Sequence, residues 1–456
     1  MNTHARLAAF IAQVAQVAQV TLVTLVTLVA PVVASAQNAA PAAPLAVVTL
    51  REARQRAARV DPLAVAARAD VSTAAWERRA AVADLITPTL SATTNYTNYN
   101  EPFFSFTGTP SSTTSSASVS ANYVVIGGGK LAERKRAAAS LDAAEAGEVA
   151  ASFRTAATVD GAYYLVLAES ELSRVAADRL RRAREQLAVA RVRVSAGETI
   201  ATDSLQLLLE VNRARLDVAR RDSALAVSRL RLGRMVGEAS AVDAAPLDSA
   251  PPPELPLSLE AASAELRERG PELLAVRAAE RQADAAVAAE RSNYLPSVAL
   301  SAGWQAYDAT FFPSFLQRSA VGVTVTLPIW DAGRRELDVA RSRGARDVAR
   351  AQREERERAS SEAMAQVWNG YRTARVALEL AQVGVQASTE TYRVQGARYR
   401  EGATTILDLL EAQTALGEAE ATLVQARFAA RSSLAQIEAL LGRRLFTDNN
   451  QARAER

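Results

Sequence analysis

The chain has 456 residues, a formal net charge of +3 and 49% hydrophobic residues, enough for two or three ordinary domains with buried cores. Arginine supplies nearly all the positive charge, since lysine stands only at Lys130 and Lys135, and it alternates with acids as in Arg350–Arg358; this is a mixed, solvated surface and makes no case for nucleic acid. There is no cysteine and the only histidine is His4, which excludes Cys/His zinc sites, thiol catalysis and a histidine-based triad, so neither a cofactor nor an enzyme is expected.

The first 36 residues read as an export signal. His4 and Arg6 precede the apolar run Leu7–Val33, and Ala34-Ser35-Ala36 offers a small-residue cleavage site before Gln37. An uncleaved membrane anchor is the alternative. Residues 37–49 form a Pro/Ala linker. Leu50–Ile86 predicts two helices, with Pro62 at the start of the second, where a missing amide does no harm.

At Thr87–Pro88 the period changes to two. Leu90, Ala92, Thr94 and Tyr96 face one way, and Ser91, Thr93 and Asn95 the other. Glu101–Ser116 reads as a loop. The next strand sets Val119, Ala121, Tyr123 and Val125 on one face and ends in Gly127-Gly128-Gly129. From Lys130 to Ala196 the chain is almost unbroken helix former, about 100 Å at 1.5 Å per residue, a length typical of coiled coils. After Gly197 a return helix runs to about Met235, with Leu207, Val211, Ala214, Val218, Leu225, Leu232 and Met235 on a packing seam.

Residues 238–257 are a Pro-rich linker, and then the order repeats. Leu259–Asn293 predicts two helices, with Pro271 in the place of Pro62. Pro296 opens a strand carrying Val298, Leu300, Ala302 and Trp304 on one face. Tyr307–Arg318 reads as a loop with Phe311, Phe312 and Phe315. A fourth strand carries Val321, Val323, Val325 and Leu327 and ends in LPIWDAGRR, where Gly333 answers Gly129. Arg334–Arg400 is a second long helix, with Val367, Tyr371, Ala374, Leu378, Ala381, Val385, Tyr392 and Tyr399 on its seam. The helix after Gly402 carries Leu409, Ala412, Leu416, Ala419, Leu423, Ala426, Ala430, Ile437 and Leu440. Gly197 and Gly402 are 205 residues apart, as are Asp203 and Asp408, and Gly237 and Gly442. The chain is therefore a duplication, 50–237 and 258–442, followed by a polar tail, 443–456, read as unstructured.

Strands of about 9–11 residues cross a bilayer when tilted, and their alternation suits a lumen on one side and lipid on the other. Four strands cannot close a barrel, and an open edge in lipid leaves backbone groups unsatisfied, so closure must come from other copies: eight strands from two, twelve from three. The Leu/Ala seams of the helical hairpins must likewise find neighbours. Alternation alone also fits a soluble sandwich, and the long helices alone fit a periplasmic or surface coiled-coil scaffold or adhesion protein.

The segments YVVIGGGK (123–130), LPIWDAGRR (327–335), RVRVSAGETIATDSLQ (191–206) and RYREGATTILDLLEAQ (398–413) resemble the outer-membrane efflux protein family, the TolC-like channels, over residues 45–442. The resemblance implies a mixed α/β membrane protein: a homotrimer whose twelve-stranded transmembrane β-barrel sits in outer-membrane lipid and continues into an α-helical periplasmic barrel. It also implies an equatorial region built from the linker and chain ends, and partners in a periplasmic adaptor and an inner-membrane transporter, in tripartite efflux or type I secretion.

By the same resemblance Asp408 and Glu411 ring the narrow periplasmic mouth, select cations, and raise one another's pKa by repulsion. Read from the residues alone, they are acids in a helix's first turns, favoured by its dipole. Tyr399 and Asp203 match positions that hold the mouth closed, with Thr202 and Thr404 as the accompanying pair. Thr404 stands where the family prototype has a basic residue, so no salt bridge forms there. Tyr399 reads equally well as a seam aromatic. Gly197 and Gly402 reverse the chain with φ above zero, and with Arg193 and Arg398 they form the tips an adaptor would contact. Pro328, Trp330, Gly333 and Gly129 mark the boundary between barrel and helices.

Overall fold

The computed structural model describes residues 45–104, 110–127, 129–197, 199–247, 254–308 and 316–446. The expected export signal, Phe311, Phe312, Phe315 and the end of the tail lie outside them.

Strand β1 (Ala46–Val48) opens the described chain. Thr49 caps α1 (Leu50–Val60) by accepting the Glu52 amide, and Asp61 caps α2 (Pro62–Ile86), which begins at its proline. Then follow β2 (Thr89–Phe104), β3 (Pro110–Ile126), α3 (Lys130–Ser195), α4 (Ala201–Val236) and β4 (Val242–Ala244). The second half gives α5 (Leu259–Arg269), α6 (Pro271–Ser292), β5 (Ser297–Asp308), β6 (Leu316–Thr326), α7 (Arg334–Arg400) and α8 (Ile406–Leu441).

Strands β2 and β3 are longer than expected, 16 and 17 residues against 12 and 11 for β5 and β6. Most of the expected loop Glu101–Ser116 is ladder: Asn98 pairs with Thr113, and after an irregularity Phe103 pairs with Ser111. The Ser/Thr run there has no hydrophobic alternation to announce a strand, yet its backbone pairs all the same. Strand β5 likewise runs on to Asp308, and β6 starts at Leu316, inside the second expected loop.

The sheet order is β2-β3-β5-β6, antiparallel throughout. Its register joins the four expected faces into one. Leu90 lies opposite Ala121, Ala121 opposite Ala302, and Ala302 opposite Val321; Ala92, Val119 and Trp304 form the next row. Directly opposed residues share a face, so the Leu90 row is apolar across all four strands, while the same face turns polar at Ser319 and Gln317 of β6 and at Thr94 of β2. The other face runs Thr93, Ser118, Gln305, Arg318 and carries a Ser91–Ser120 hydroxyl pair at 2.7 Å. Val321 on the apolar face is 78% exposed, and β2 and β6 both end the sheet with an unpaired edge.

Helices α3 and α7, of 66 and 67 residues, run the length of the helical part. Towards the sheet, α3 packs against α2 and α6, and α6 against α7; away from it, α4 and α8 pack on α3 and α7 as the two hairpins, and α8 also packs on α3. The shorter helices therefore meet end to end. The chain leaves α4 at Gly237 and α8 at Gly442, both left-handed (φ 81° and 70°). A side-chain carbon at Gly237 would come 2.8 Å from Val60, and one at Gly442 2.5 Å from Pro271. Only glycine serves both needs.

The expected seams are largely the buried ones: Leu207, Val211, Ala214, Leu225 and Leu232 on α4, and Tyr371, Ala374, Leu378, Ala381 and Tyr399 on α7. In α8 the buried set is broader and includes Val424, Phe428 and Leu441, because this helix lies between α3 and α7 and has two faces to fill.

At the junction of the two helical layers, segments read as linkers carry structure. Strand β1 pairs in parallel with β4, and Tyr163 of α3 donates to Ala245 O at 2.6 Å over a core of Val48, Ala53, Val159, Leu232 and Val242. Burial pushes the Tyr163 hydroxyl up to about 12, so it remains a donor. Asp160, 1% exposed, takes a fork from Arg54 (Nη2–Oδ2 2.6 Å), and Arg444 lies 3.5 Å away while also bonding Glu438 at 2.7 Å. The tail is thus fastened through its first residues. Arg443 pairs with Glu265, and the Leu445 amide donates to Glu438 at 2.9 Å. Three-residue strands and a buried ion pair have no periodicity, which is why the sequence reads as linker and free tail here.

Candidate functional site

The functional candidates gather at the far ends of the two hairpins. Helix α7 ends with Gly402 at φ 73° and α3 with Gly197 at φ 77°, the left-handed reversals expected of both. In the second tip Thr405 is the N-cap of α8 and Asp408 completes a capping box with it. One oxygen, Asp408 Oδ2, accepts from Thr404 Oγ1 (2.8 Å), Thr405 Oγ1 (2.6 Å) and the Thr405 amide (3.0 Å). The hydroxyl bonds from Thr405 and Thr404 hold its carboxyl below the usual aspartate range. Mutual repulsion around a mouth would act the other way, but these hydrogen bonds are direct and reach the carboxylate from its own tip. Thr404 is therefore committed to Asp408. Thr202 lies exposed in the first turn of α4.

The first tip repeats part of this at the shift of 205. Thr199, the counterpart of Thr404, donates to Asp203 Oδ2 at 2.6 Å. The N-cap is Ile200, which has no side-chain acceptor, so no capping box forms. Asp203 instead receives the Tyr399 hydroxyl at 3.4 Å. Tyr399 is 2% exposed and packs with Leu187, Leu207, Ile406 and Leu409, so it is both seam aromatic and cross-hairpin contact. Burial, and then the charge of Asp203, raise its pKa. The Arg193 guanidinium stacks 5.1 Å from the Tyr399 ring centroid and donates to the Tyr399 carbonyl. Arg398 stays on its own hairpin, donating to Ala403 O at 3.3 Å.

Asp408 and Glu411 are both exposed and stand three residues apart on α8. Glu411 lines a groove of about 410 Å³ between α4 and α8, with Gln206, Glu210, Arg213 and Glu418. At the opposite end of the helices, Pro328 O accepts from Arg335 (2.9 Å), Arg335 pairs with Asp331 (2.8 Å), and Ala332 and Gly333 are both left-handed (φ 60° and 80°). Trp330 is 79% exposed. Gly129 caps α3 with φ −126°, unlike its counterpart Gly333. Each strand-to-helix junction stacks a cation on a tyrosine: Lys130 on Tyr123 at 4.9 Å and Arg335 on Tyr294 at 4.7 Å.

The sequence pattern of the outer membrane efflux protein family matches residues 53–238 and again 262–443. The chain belongs to this family. No curated protein matches it. Among solved structures, the Campylobacter jejuni CmeC outer membrane channel superposes with a TM-score of 0.74 at 15% identity, covering 89% of this chain and 88% of that one. The open state of the Neisseria gonorrhoeae MtrE outer membrane channel gives 0.70 at 21%, covering 88% and 90%. The outer membrane protein VceC of Vibrio cholerae gives 0.71 at 20%, covering 87% and 97%. At these identities the structures establish a shared fold, and the family match establishes an outer-membrane efflux channel of TolC-like type.

For an outer membrane efflux protein, the placement of the chemistry follows from the fold. The apolar sheet face belongs against lipid, and the tips lie at the other extremity of the helices. Among the described residues no helix is long and apolar enough to cross a membrane. Sequence reasoning missed Thr199 and Thr405. The 205-residue shift that pairs Gly197 with Gly402 also pairs Thr199 with Thr404, and applying it residue by residue would have found the first. The second announces itself as the Thr of a T-x-x-D capping pattern.

Proposed function

We propose that three copies of this chain close one twelve-stranded barrel and one helical tunnel, and that this homotrimer is the passive exit duct of a tripartite efflux or type I secretion system. The observation that carries it is the sheet: a face whose Leu90 row is apolar across all four strands, and two unpaired edges, β2 and β6. In lipid each unsatisfied edge group costs several kcal/mol, and pairing β6 of one copy with β2 of the next removes them all. Energy comes from an inner-membrane transporter, and a periplasmic adaptor docks on the tips around Gly197, Gly402, Arg193 and Arg398. Asp408 and Glu411 form the carboxylate ring of the mouth. Tyr399, Asp203, Thr202 and Thr404 lie in its gate. Residues 1–36 are removed on export, and the repeats 50–237 and 258–442 each supply two strands and one hairpin. The scaffold reading has no observation in its favour, and the protein has no catalytic part in transport.

The test is fractionation and conductance. A heat-modifiable trimer in outer-membrane fractions that conducts ions in planar bilayers is the expected result. A soluble periplasmic protein without conductance would sink the proposal.

A further inference from the structure

We propose that Arg193 is the latch between the two hairpin tips of each protomer. This rests on the reading of the tips as the mouth of the duct. Arg193 sits in the last turn of α3, on the first hairpin, and it reaches the second at the Tyr399 ring and carbonyl. Its guanidinium covers the Tyr399 ring at 5.1 Å and one nitrogen donates to the Tyr399 carbonyl. That carbonyl lies in the final turn of α7, where the helix dipole gathers negative charge, so the cation caps a helix that is not its own. The other terminal nitrogen comes within 3.4 Å of where a side chain at Gly402 would begin, and glycine leaves it room to lie across the reversal.

The duplication supplies the control. Arg398 is the counterpart of Arg193, but Val194 stands where Tyr399 stands in the second tip. Arg398 therefore has no corresponding ring to cover, and it bonds its own hairpin at Ala403. One arginine bridges the tips and its twin does not. Across the tips it grips a ring and a carbonyl, groups that keep their charge state across the physiological range. Tyr399 adds its hydroxyl bond to Asp203, so a single tyrosine is held from the ring, the carbonyl and the hydroxyl by the other hairpin.

Purified trimer in planar bilayers tests the assignment. Arg193→Ala is expected to raise the open-to-closed ratio about tenfold, the scale of one partly buried cation–π contact with its hydrogen bond. Arg193→Lys keeps the charge without the planar fork and should fall between. Arg393→Ala, at an exposed arginine that pairs with Glu390 of its own helix, should conduct as the wild type. A second readout uses the absence of cysteine: spin labels at Ser195→Cys and Glu401→Cys report the distance between tips, which Arg193→Ala should lengthen and broaden. Wild-type conductance and wild-type tip distance in both Arg193 variants would overturn the latch and leave the duct standing. A wild-type trimer that never conducts would overturn the duct, and the tip distances would still decide whether Arg193 joins the hairpins.

Discussion

The two repeats share one plan and differ in their polar contacts at both ends. At the equatorial end the first repeat buries Asp160 against Arg54, while the second places Ala365 and Ser263 at the matching positions and packs Met364, Trp368, Leu273 and Ile437 into an apolar core. At the tips the order inverts. The second repeat closes its turn with a full capping box of Thr405 and Asp408, whereas the first caps with Ile200 and lends Asp203 and Arg193 to its neighbour. Duplication fixed the helices and their lengths. Divergence then made one repeat the anchor of the equator and the other the self-contained wall of the mouth.

The largest expected effect breaks that asymmetry at the equator. Arg54→Ala leaves a nearly fully buried carboxylate with the longer Arg444 contact and should cost about 3 kcal/mol, read as a lower heat-dissociation temperature of the trimer. Adding Asp160→Ala, which gives the first repeat the alanine of the second, should recover most of the loss. At the mouth, Asp408→Asn with Glu411→Gln should lower cation over anion permeability several-fold, about the effect of removing a charged ring. Asp203→Asn should leave that ratio nearly unchanged and loosen the gate instead, since Asp203 is engaged with Tyr399. Unchanged selectivity in the first variant would place those acids outside the pore.

Smaller effects sharpen the comparison of caps. Thr405→Val should cost about 1 kcal/mol of tip stability and Ile200→Thr should regain a similar amount, measured by hydrogen exchange of the first turns of α8 and α4. The smallest effect is in pH. Asp408 has a lowered pKa in the folded tip, so its contribution is complete above the ordinary aspartate value and is lost only as the pH falls through the lower, folded one. Thr405→Val removes the main cause, so cation preference should fade at a higher pH than in the wild type.

The elements with strong periods were legible in the sequence. The long helices, the reversals at Gly197 and Gly402 and the one-sided alternation of four strands all follow from spacing. The first strand pair was read short, because Ser111–Ser116 pairs through its backbone without an apolar face to signal it. The β1–β4 pair was hidden for the same reason: three residues are too few for any period. At the candidate site the residues named from the resemblance do gather at the tips, but their partners were not legible. Thr404 bonds Asp408 within its own tip, but that Arg193 crosses to Tyr399 depends on how two hairpins lie side by side, which no local pattern encodes.

The glycine joints have a mechanical consequence. Each protomer stands on two unbroken struts, α3 and α7, and two columns interrupted at Gly237 and Gly442, where one helix merely abuts the next. A continuous helix resists bending along its whole length, because every turn is braced by its own hydrogen bonds, whereas an abutment transmits compression and permits swivel. Motion of the tips must therefore bend the struts gently while the lower columns pivot on their bearings. The abutments can take up part of that motion, while α3 and α7 carry the rest without interruption between the mouth and the sheet.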